Sequence, residues 1–283
     1  MTRAVGILLC ILSAWAALAD APRIVIEARG VPAGENLIAN PDFEDGDEWP
    51  SGWGWTPNQP PPKIDRVWAD TALSGARSAG VISASSSASA YWTQVVRVEP
   101  GQVYLLTARV LLEEGKVLVR AYGRDAEGNP LKGFDRRAYD LRLTTHPLAP
   151  AYWKPEWIID MTREPWAPVD LVVDTRGEIV PASVSVQIGS YFAPGTLFVD
   201  DVYFGPGTLT LDYVVTGAPL AQVRVLDEGG DEHATSGDLG GATRYEGSAE
   251  GLALGEAWLI EAIAADGTVT RSWYPAAPEG AAQ

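Results

Sequence analysis

The sequence predicts an all-β protein in which a jelly-roll β-sandwich is followed by a small immunoglobulin-like β-sandwich domain. Short segments that are apolar, or that alternate between apolar and polar residues, recur along the chain between turn-forming residues. No long amphipathic helical pattern interrupts them. The composition agrees, because 29 Gly and 21 Pro stand beside 11 Trp and 10 Tyr. Turn formers together with large flat side chains are typical of β-rich binding proteins.

The charge of the chain disfavours nucleic acid as a partner. With 21 basic and 37 acidic residues, its formal net charge is −16, and an acidic surface repels phosphate backbones. Hydrophobic residues make up 46% and charged residues 20%. These shares disfavour both a disordered chain and a polytopic membrane protein.

Residues 1–19 are predicted to be a secretory signal peptide. An apolar run over residues 4–18 leads into the small-residue cleavage pattern Ala17-Leu18-Ala19. The run is shorter than the roughly 20 apolar residues of a spanning helix, so we expect a secreted or extracytoplasmic protein with no membrane span. The single cysteine, Cys10, would be removed with the signal. The mature chain would then depend on core packing and on a bound ion, because it could form no disulfide.

Four further segments follow the signal peptide. Residues 20–35 are a turn-rich lead-in with one strand candidate, residues 36–206 the jelly roll, residues 207–275 the small all-β domain, and residues 276–283 a disordered tail. The turn formers Gly205-Pro206-Gly207 mark the boundary between the two domains. The second domain would act as a spacer or dock a protein partner.

The first domain contains enough short strands for two sheets. A sandwich of the jelly-roll kind accommodates them and protects their edges. The clearest strand candidates are Trp92 to Val98, Val103 to Leu112, Lys116 to Tyr122, Ala182 to Tyr191 and Leu197 to Phe204.

Three segments of this domain, in order along the chain, carry a family resemblance. The first is Asn36-Leu-Ile-Ala-Asn-Pro-Asp-Phe-Glu-Asp-Gly46, followed by Gly52-Trp53. The second runs from Ser74 to Tyr104 and includes a strand ending in Gln and a Pro-Gly-x-x-Tyr corner; the third is Gly195-Thr-Leu-Phe-Val-Asp-Asp-Val-Tyr203. Together they resemble carbohydrate-binding modules of the family 4, 9 and 22 (CenC-like) type. The resemblance implies a galactose-binding-like jelly roll that binds a polysaccharide or glycan.

The resemblance also implies a structural calcium ion that ties the opening strand to the closing one. The matching carboxylates are Glu44 and Asp200 or Asp201, and the turn from Ser74 to Arg77 would add carbonyl oxygens. Calcium takes about six to eight oxygen ligands, which two strands and a turn can supply. Two alternatives stand beside the metal. Glu44 caps a turn while one aspartate is solvated, since adjacent strand residues face opposite sides, or an ion pair with Arg77 replaces the ion.

A sugar-binding face is predicted on the assumption that strands 103–112 and 116–124 are neighbours. Arg120 and Tyr122 alternate with core-type residues in the second strand, and Arg109 takes the matching side of the first. Aromatic rings stack on the apolar faces of sugars, and arginine binds hydroxyls or a carboxylate. The face is therefore either a glycan-binding surface, with an acidic sugar such as a uronate as one option, or a solvated sheet.

Two tryptophans complete the predicted ligand-binding set. Trp157 lies in a Pro-rich aromatic segment typical of a loop at a sandwich rim. Trp92 either stacks on the ligand or fills the core. Trp53, which matches the Gly-Trp of the family, is predicted to pack in the core.

The sequence predicts no enzyme. His146 and His233 lie in different domains, which argues against a His-based triad or a His-rich zinc site. No nucleophile-elbow, zinc-protease or phosphate-loop motif occurs. We therefore expect an exported, non-catalytic carbohydrate-binding protein. The main alternative is a structural or adhesive cell-surface protein that binds protein rather than sugar, and a third is the amino-terminal part of a longer hydrolase.

Overall fold

The computed structural model describes residues 21–141 and 165–275. These residues form β-strands only, so the described part of the chain has no helix with the length and apolarity of a membrane span. In chain order the strands are β1 (Arg23–Pro32), β2 (Gly54–Pro57), β3 (Ile64–Ala69), β4 (Ser78–Ser83), β5 (Ser89–Arg97), β6 (Val103–Leu112), β7 (Lys116–Arg124), β8 (Pro130–Leu141), β9 (Ala167–Asp174), β10 (Ser183–Tyr191), β11 (Gly195–Asp227), β12 (Glu232–Thr235), β13 (Ala242–Ala253), β14 (Trp258–Ala264) and β15 (Val269–Tyr274).

The described residues divide into two compact units, and the larger comprises residues 27–211 and 248–256. It contains two antiparallel sheets of five strands each. The first sheet has the order β3-β4-β11-β6-β9, and the second has the order β2-β5-β10-β7-β8. Two such sheets packed face to face form a jelly-roll sandwich. The prediction of an all-β fold with a jelly-roll sandwich is confirmed.

Alternation along each strand places the core between the two sheets. In β7, Val117 and Val119 are fully buried, while Arg120 is partly exposed. Leu106 and Val110 of β6 belong to the same buried cluster from the side of the first sheet. Complete burial of a side chain of this size contributes about 1.5–3 kcal/mol, so this apolar layer is the main source of the unit's stability.

The opening segment and the closing strand lie side by side, as the resemblance implies. Val202 N donates a hydrogen bond to Pro41 O at 2.9 Å, and Asn36 Nδ2 donates to Val202 O at 2.9 Å. Phe43 is fully buried, and its ring centroid lies 4.8 Å from that of Trp53. Trp53 is a core residue, as predicted.

The lead-in contains more β-structure than predicted, because β1 continues to Pro32 and pairs with β11. Gly30 N donates to Asp170 Oδ2 at 2.7 Å. A Cβ on Gly30 would lie 2.4 Å from Leu105 Cδ1, so this close approach requires glycine. Tertiary pairing here outweighs the local turn preference of Gly and Pro.

The smaller unit comprises residues 212–247 and 257–275 together with residues 21–26. Within it, β14 lies between β15 and β11. Arg224, Glu261 and Arg271 face one another across these three strands, and both arginines form ion pairs with the nearly buried glutamate. The division between the units falls inside β11 and β13 rather than at the Gly-Pro-Gly segment. An immunoglobulin-like form of this unit stays a prediction.

Candidate functional site

The residues of the second sheet that point away from the core form a polar face. In β7 these residues are Arg120, Tyr122 and Arg124, which alternate with buried residues. The antiparallel registers place Gln187 of β10 and Arg137 of β8 on either side of Arg120. We call this surface the arginine face; it comprises Arg97, Arg120, Tyr122, Arg124, Asp135, Arg137, Ser185 and Gln187.

Asp135 holds two of these arginines in place. Arg120 donates from Nε to Oδ1 at 2.8 Å and from Nη2 to Oδ2 at 2.9 Å, and Arg137 Nε donates to Oδ2 at 3.0 Å. Arg120 Nη1 also donates to Oε1 of the nearly buried Gln187 at 3.3 Å. Burial by itself would raise the pKa of Asp135, but hydrogen bonds from Arg137 and Arg120 outweigh burial, and the pKa lies below its usual value. The carboxylate therefore stays charged and fixes both guanidinium groups.

Tyr122 lies between two guanidinium groups on its own strand. The Cζ atoms of Arg120 and Arg124 lie 4.7 and 5.1 Å from the ring centroid, and Arg124 Nη2 donates to the tyrosine hydroxyl at 2.6 Å. Because the arginines stand two residues before and two residues after Tyr122, they approach the ring from opposite sides. The ring therefore positions the two arginines and offers a sugar less stacking area than an isolated tyrosine would.

The polar face continues across β10 to β5. Ser183 pairs with both Arg97 and Arg124, so the three residues lie in one row. In the next row Ser185 pairs with Val95, whose exposure is 54%. The face thus combines charged donors with an apolar side chain on an open sheet surface.

Two polar atoms of this face are buried without a hydrogen-bond partner among the described residues. They are Ser185 Oγ and Arg124 Nε. A buried polar atom without a partner costs about 1–3 kcal/mol, and each such group in a folded protein calls for an explanation. Their position indicates the part of the face where a polar ligand group would be accepted.

Arg109 does not belong to the arginine face. Strand β6 pairs with β11 and β9 in the first sheet, whereas the next strand, β7, pairs with β10 and β8 in the second. The chain crosses the sandwich at the short turn between them, where Glu113 N donates to Thr196 O at 3.0 Å. Arg109 and Arg120 therefore point out of opposite sides of the sandwich. The prediction that they share a face is wrong.

Trp92 points into the core. It is fully buried, and its indole Nε1 donates to Gly80 O at 3.1 Å. Its ring centroid lies 5.3 Å from that of Trp55. A ring without exposed surface cannot stack on a polysaccharide, so the predicted ligand role of Trp92 is wrong and its core alternative is correct. Trp157 lies outside the described residues.

Sequence reasoning missed the β8 side of the face. Strand Pro130–Leu141 was not predicted because the charged run at 135–137 interrupts its apolar pattern. A signal was nevertheless present, since Phe134 and Ala138 are buried while the first and last residues of the charged run point to the opposite face. This period of two is the period of a strand.

The three predicted metal ligands meet at the turn of residues 73–77. Asp200 Oδ2 accepts the backbone N–H groups of residues 73 and 74 at 2.8 and 3.1 Å. Glu44 Oε1 accepts those of residues 76 and 77, both at 2.7 Å. Asp201 Oδ1 accepts the Ser74 hydroxyl at 2.7 Å. The predicted convergence of these carboxylates on the turn is therefore present, but the turn offers them donors.

As they lie, these residues do not fit a calcium ion. Calcium needs oxygen ligands, whereas the turn directs N–H and O–H groups at the carboxylates. No cluster of three or more acidic, His or Cys side chains suited to a metal occurs within 21–138 and 165–275. Arg77 pairs with Asp70 rather than with Glu44, and burial raises the pKa of Asp200 despite its backbone hydrogen bonds. Structural calcium stays a prediction, and it would require these hydrogen bonds to be replaced.

Comparison with known proteins places this chain near several solved structures. No protein-family model and no curated protein matches it. The enzymatically active domain of tailspike protein 4 from bacteriophage CBA120 has a TM-score of 0.45 at 13% identity; the match covers 60% of this chain and 21% of that one. TmCBM61 in complex with β-1,4-galactotriose has a TM-score of 0.37 at 18% identity and covers 60% and 98% of the two chains.

A further neighbour is the CBM22-1 xylan-binding domain from Paenibacillus barcinonensis Xyn10C, with a TM-score of 0.37, 14% identity, and coverage of 61% and 95%. The neighbours are mainly carbohydrate-binding modules, the class of domain that the sequence resembles. Because the TM-scores lie below 0.5, the ligand of this chain has to be argued from its own residues.

Proposed function

We propose that the large unit binds a polysaccharide or glycan, without catalysis, through the arginine face. The main support is the network that joins Gln187, Arg120 and Asp135 on the outward side of one sheet. Sugar hydroxyls both donate and accept hydrogen bonds, so a surface that recognises them needs donors and acceptors in fixed positions. Guanidinium, amide and carboxylate groups held on a rigid sheet meet that requirement.

The shape of the face favours weak to moderate affinity. An open sheet leaves much of a bound sugar hydrated, and interactions shared with water contribute little net free energy. Val95, exposed beside Ser185, supplies the apolar contact that the CH groups of a sugar ring need. A long polymer that occupies the whole face should therefore bind more strongly than a short oligosaccharide.

Export is part of the proposal and rests on the sequence. The apolar run at residues 4–18 and the small residues that follow it have the composition of a secretory signal. An exported protein with this face would meet polysaccharides outside the cytoplasm.

The face is suited to binding rather than to hydrolysis. Glycoside hydrolysis ordinarily needs two carboxyl groups, one of them able to give up a proton. Asp135 is the one carboxylate among the described residues of the face, and its pKa is lowered by its arginine partners. We expect no reducing ends to be released from xylan or β-1,4-galactan on prolonged incubation, and release at an enzymatic rate would contradict the non-catalytic proposal.

Affinity electrophoresis of matched variants tests the binding proposal. The panel should begin with β-1,4-galactan and xylan, because two similar structures are described by β-1,4-galactotriose and by xylan, and should include acidic polysaccharides. The wild-type protein should be retarded by at least one polymer, and Arg120→Ala should weaken retardation about tenfold. Arg109→Ala is the control, since it removes an arginine from the opposite sheet. Absence of retardation by every polymer, or equal losses in both variants, would overturn the proposal.

A further inference from the structure

The arginine face has a charge opposite to that of the chain as a whole. It carries Arg97, Arg120, Arg124 and Arg137, and Asp135 is its one described carboxylate. The chain has a formal net charge of −16. Two of the arginines share the single carboxylate, so the face keeps an excess of positive charge.

The other two arginines have no carboxylate partner among the described residues. Arg124 donates to two neutral oxygens, the carbonyl of Gly128 at 2.7 Å and the hydroxyl of Tyr122 at 2.6 Å. Arg97 is exposed at the end of β5. The two residues flank Ser183 in one row, and their strands lie about 10 Å apart, twice the usual strand spacing. Side chains as long as arginine can converge on one group bound between these strands.

A second observation points to the same place. Arg124 Nε is buried without a hydrogen-bond partner, and so is the hydroxyl of the fully buried Ser185 on the adjoining strand. Both atoms belong to the half of the face nearest the Arg97–Arg124 row. An anion there would give a donor of Arg124 the acceptor that the described residues do not provide.

We propose that the glycan bound by this face is anionic, and that Arg97 and Arg124 bind a carboxylate or sulfate group on one of its sugar residues. This inference rests on the proposed function of the same face. Hydrogen bonds between guanidinium and an anion are roughly twice as strong as those between neutral groups, and the planar guanidinium fork matches a carboxylate in geometry. Arg120, occupied by Asp135, is left to recognise hydroxyls, so the two arginine pairs have different tasks.

An acidic polysaccharide fits these observations better than a nucleic acid does. Phosphate is also an anion, but a nucleic acid carries one at every nucleotide, and the net charge of −16 opposes approach of so dense a polyanion. A glycan also presents the hydroxyl groups that the Gln187, Arg120 and Asp135 network is suited to bind.

The test compares one polymer backbone with and without its charge. Polygalacturonate and its fully methyl-esterified form differ in the carboxylate, and dextran sulfate and dextran differ in the sulfate. In isothermal titration with the full chain, the charged member of at least one pair should bind at least tenfold more tightly than the neutral member. Which pair responds distinguishes a carboxylate from a sulfate ligand. Raising the salt concentration should reduce this preference, because exposed charges are screened.

Variants locate the effect on the two arginines. Arg97→Gln and Arg124→Gln should each reduce affinity for the charged polymer about fivefold or more and leave affinity for the neutral member nearly unchanged. Arg97 is exposed, so its replacement tests the inference even if Arg124→Gln disturbs the turn at Gly128. The control is Arg244→Gln, which removes an exposed arginine paired with Glu246 in the smaller unit.

The outcomes separate this inference from the proposed function. If charged and neutral polymers bind equally, and binding is lost in Arg120→Ala, the function stands and the inference is overturned. If no glycan binds at all, the proposed function itself is overturned. Tighter binding of single-stranded DNA than of either acidic polymer would also overturn the inference.

Discussion

On the first sheet the side chains that point away from the core are largely apolar, whereas on the second sheet they are largely arginine and neutral polar residues. The registers align Val67, Gly80, Phe198 and Leu111 in one row across the first sheet. Ile82, in the adjoining row, is 46% exposed. Both faces arise from the same strand alternation, so alternation alone does not distinguish a packing surface from a binding surface.

The difference lies in how each face is held in place. On the first sheet, Gly80 lets the Phe198 ring lie across β4, since a Cβ at Gly80 would be 2.9 Å from Phe198 Cδ1. On the second sheet, long side chains are fixed by one another's charges around Asp135. A ring packed flat on a sheet has no hydrogen bonds to offer, whereas fixed guanidinium groups do.

The largest expected effect concerns the inward side of the second sheet. Trp92→Ala should lower the free energy of unfolding by about 3–5 kcal/mol, because it empties a fully buried site. Urea denaturation measures the loss. Trp92→Phe should keep most of the stability and all of the glycan retention. If Trp92→Phe abolished retention in a stably folded protein, Trp92 would belong to the binding surface after all.

An intermediate effect is expected on the outward side of the first sheet. Gly80→Ala should cost about 1–3 kcal/mol of stability, because the new Cβ would collide with the Phe198 ring. Glycan retention should not change, since the arginine face lies on the other sheet. Gly177→Ala is the matched control: its Cβ would meet no atom within 4 Å and its φ is not positive, so its stability should change little. Lost retention in Gly80→Ala would show that the two faces are coupled.

The smallest effect is expected at the carboxylates around residues 73–77. Because these carboxylates accept N–H and O–H donors, removing calcium with EDTA should leave the thermal midpoint unchanged. A site that bound calcium only in the folded state would raise the midpoint as calcium was added. A rise with calcium that magnesium does not reproduce would restore the calcium prediction and show that these side chains rearrange.

Much of the architecture was predictable because it depends on local pattern. The period of two in β7 correctly divided Val117 and Val119 from Arg120 and Tyr122, since burial of one strand face requires it. The family resemblance brought Glu44 and the closing aspartates to one turn. It could not show whether that turn would present carbonyl or N–H groups, because backbone orientation depends on the surrounding fold.

The sequence by itself determined which residues form most of the strands and which side of each strand is apolar, because both follow from residue types at neighbouring positions. Only the tertiary structure decided which strands become neighbours. It separated Arg109 from Arg120 by sending β6 and β7 to opposite sheets, and it brought Asp135 and Gln187 to Arg120. The physical reason is that strand pairing satisfies backbone hydrogen bonds and joins apolar faces across the whole chain, a balance that no local segment contains.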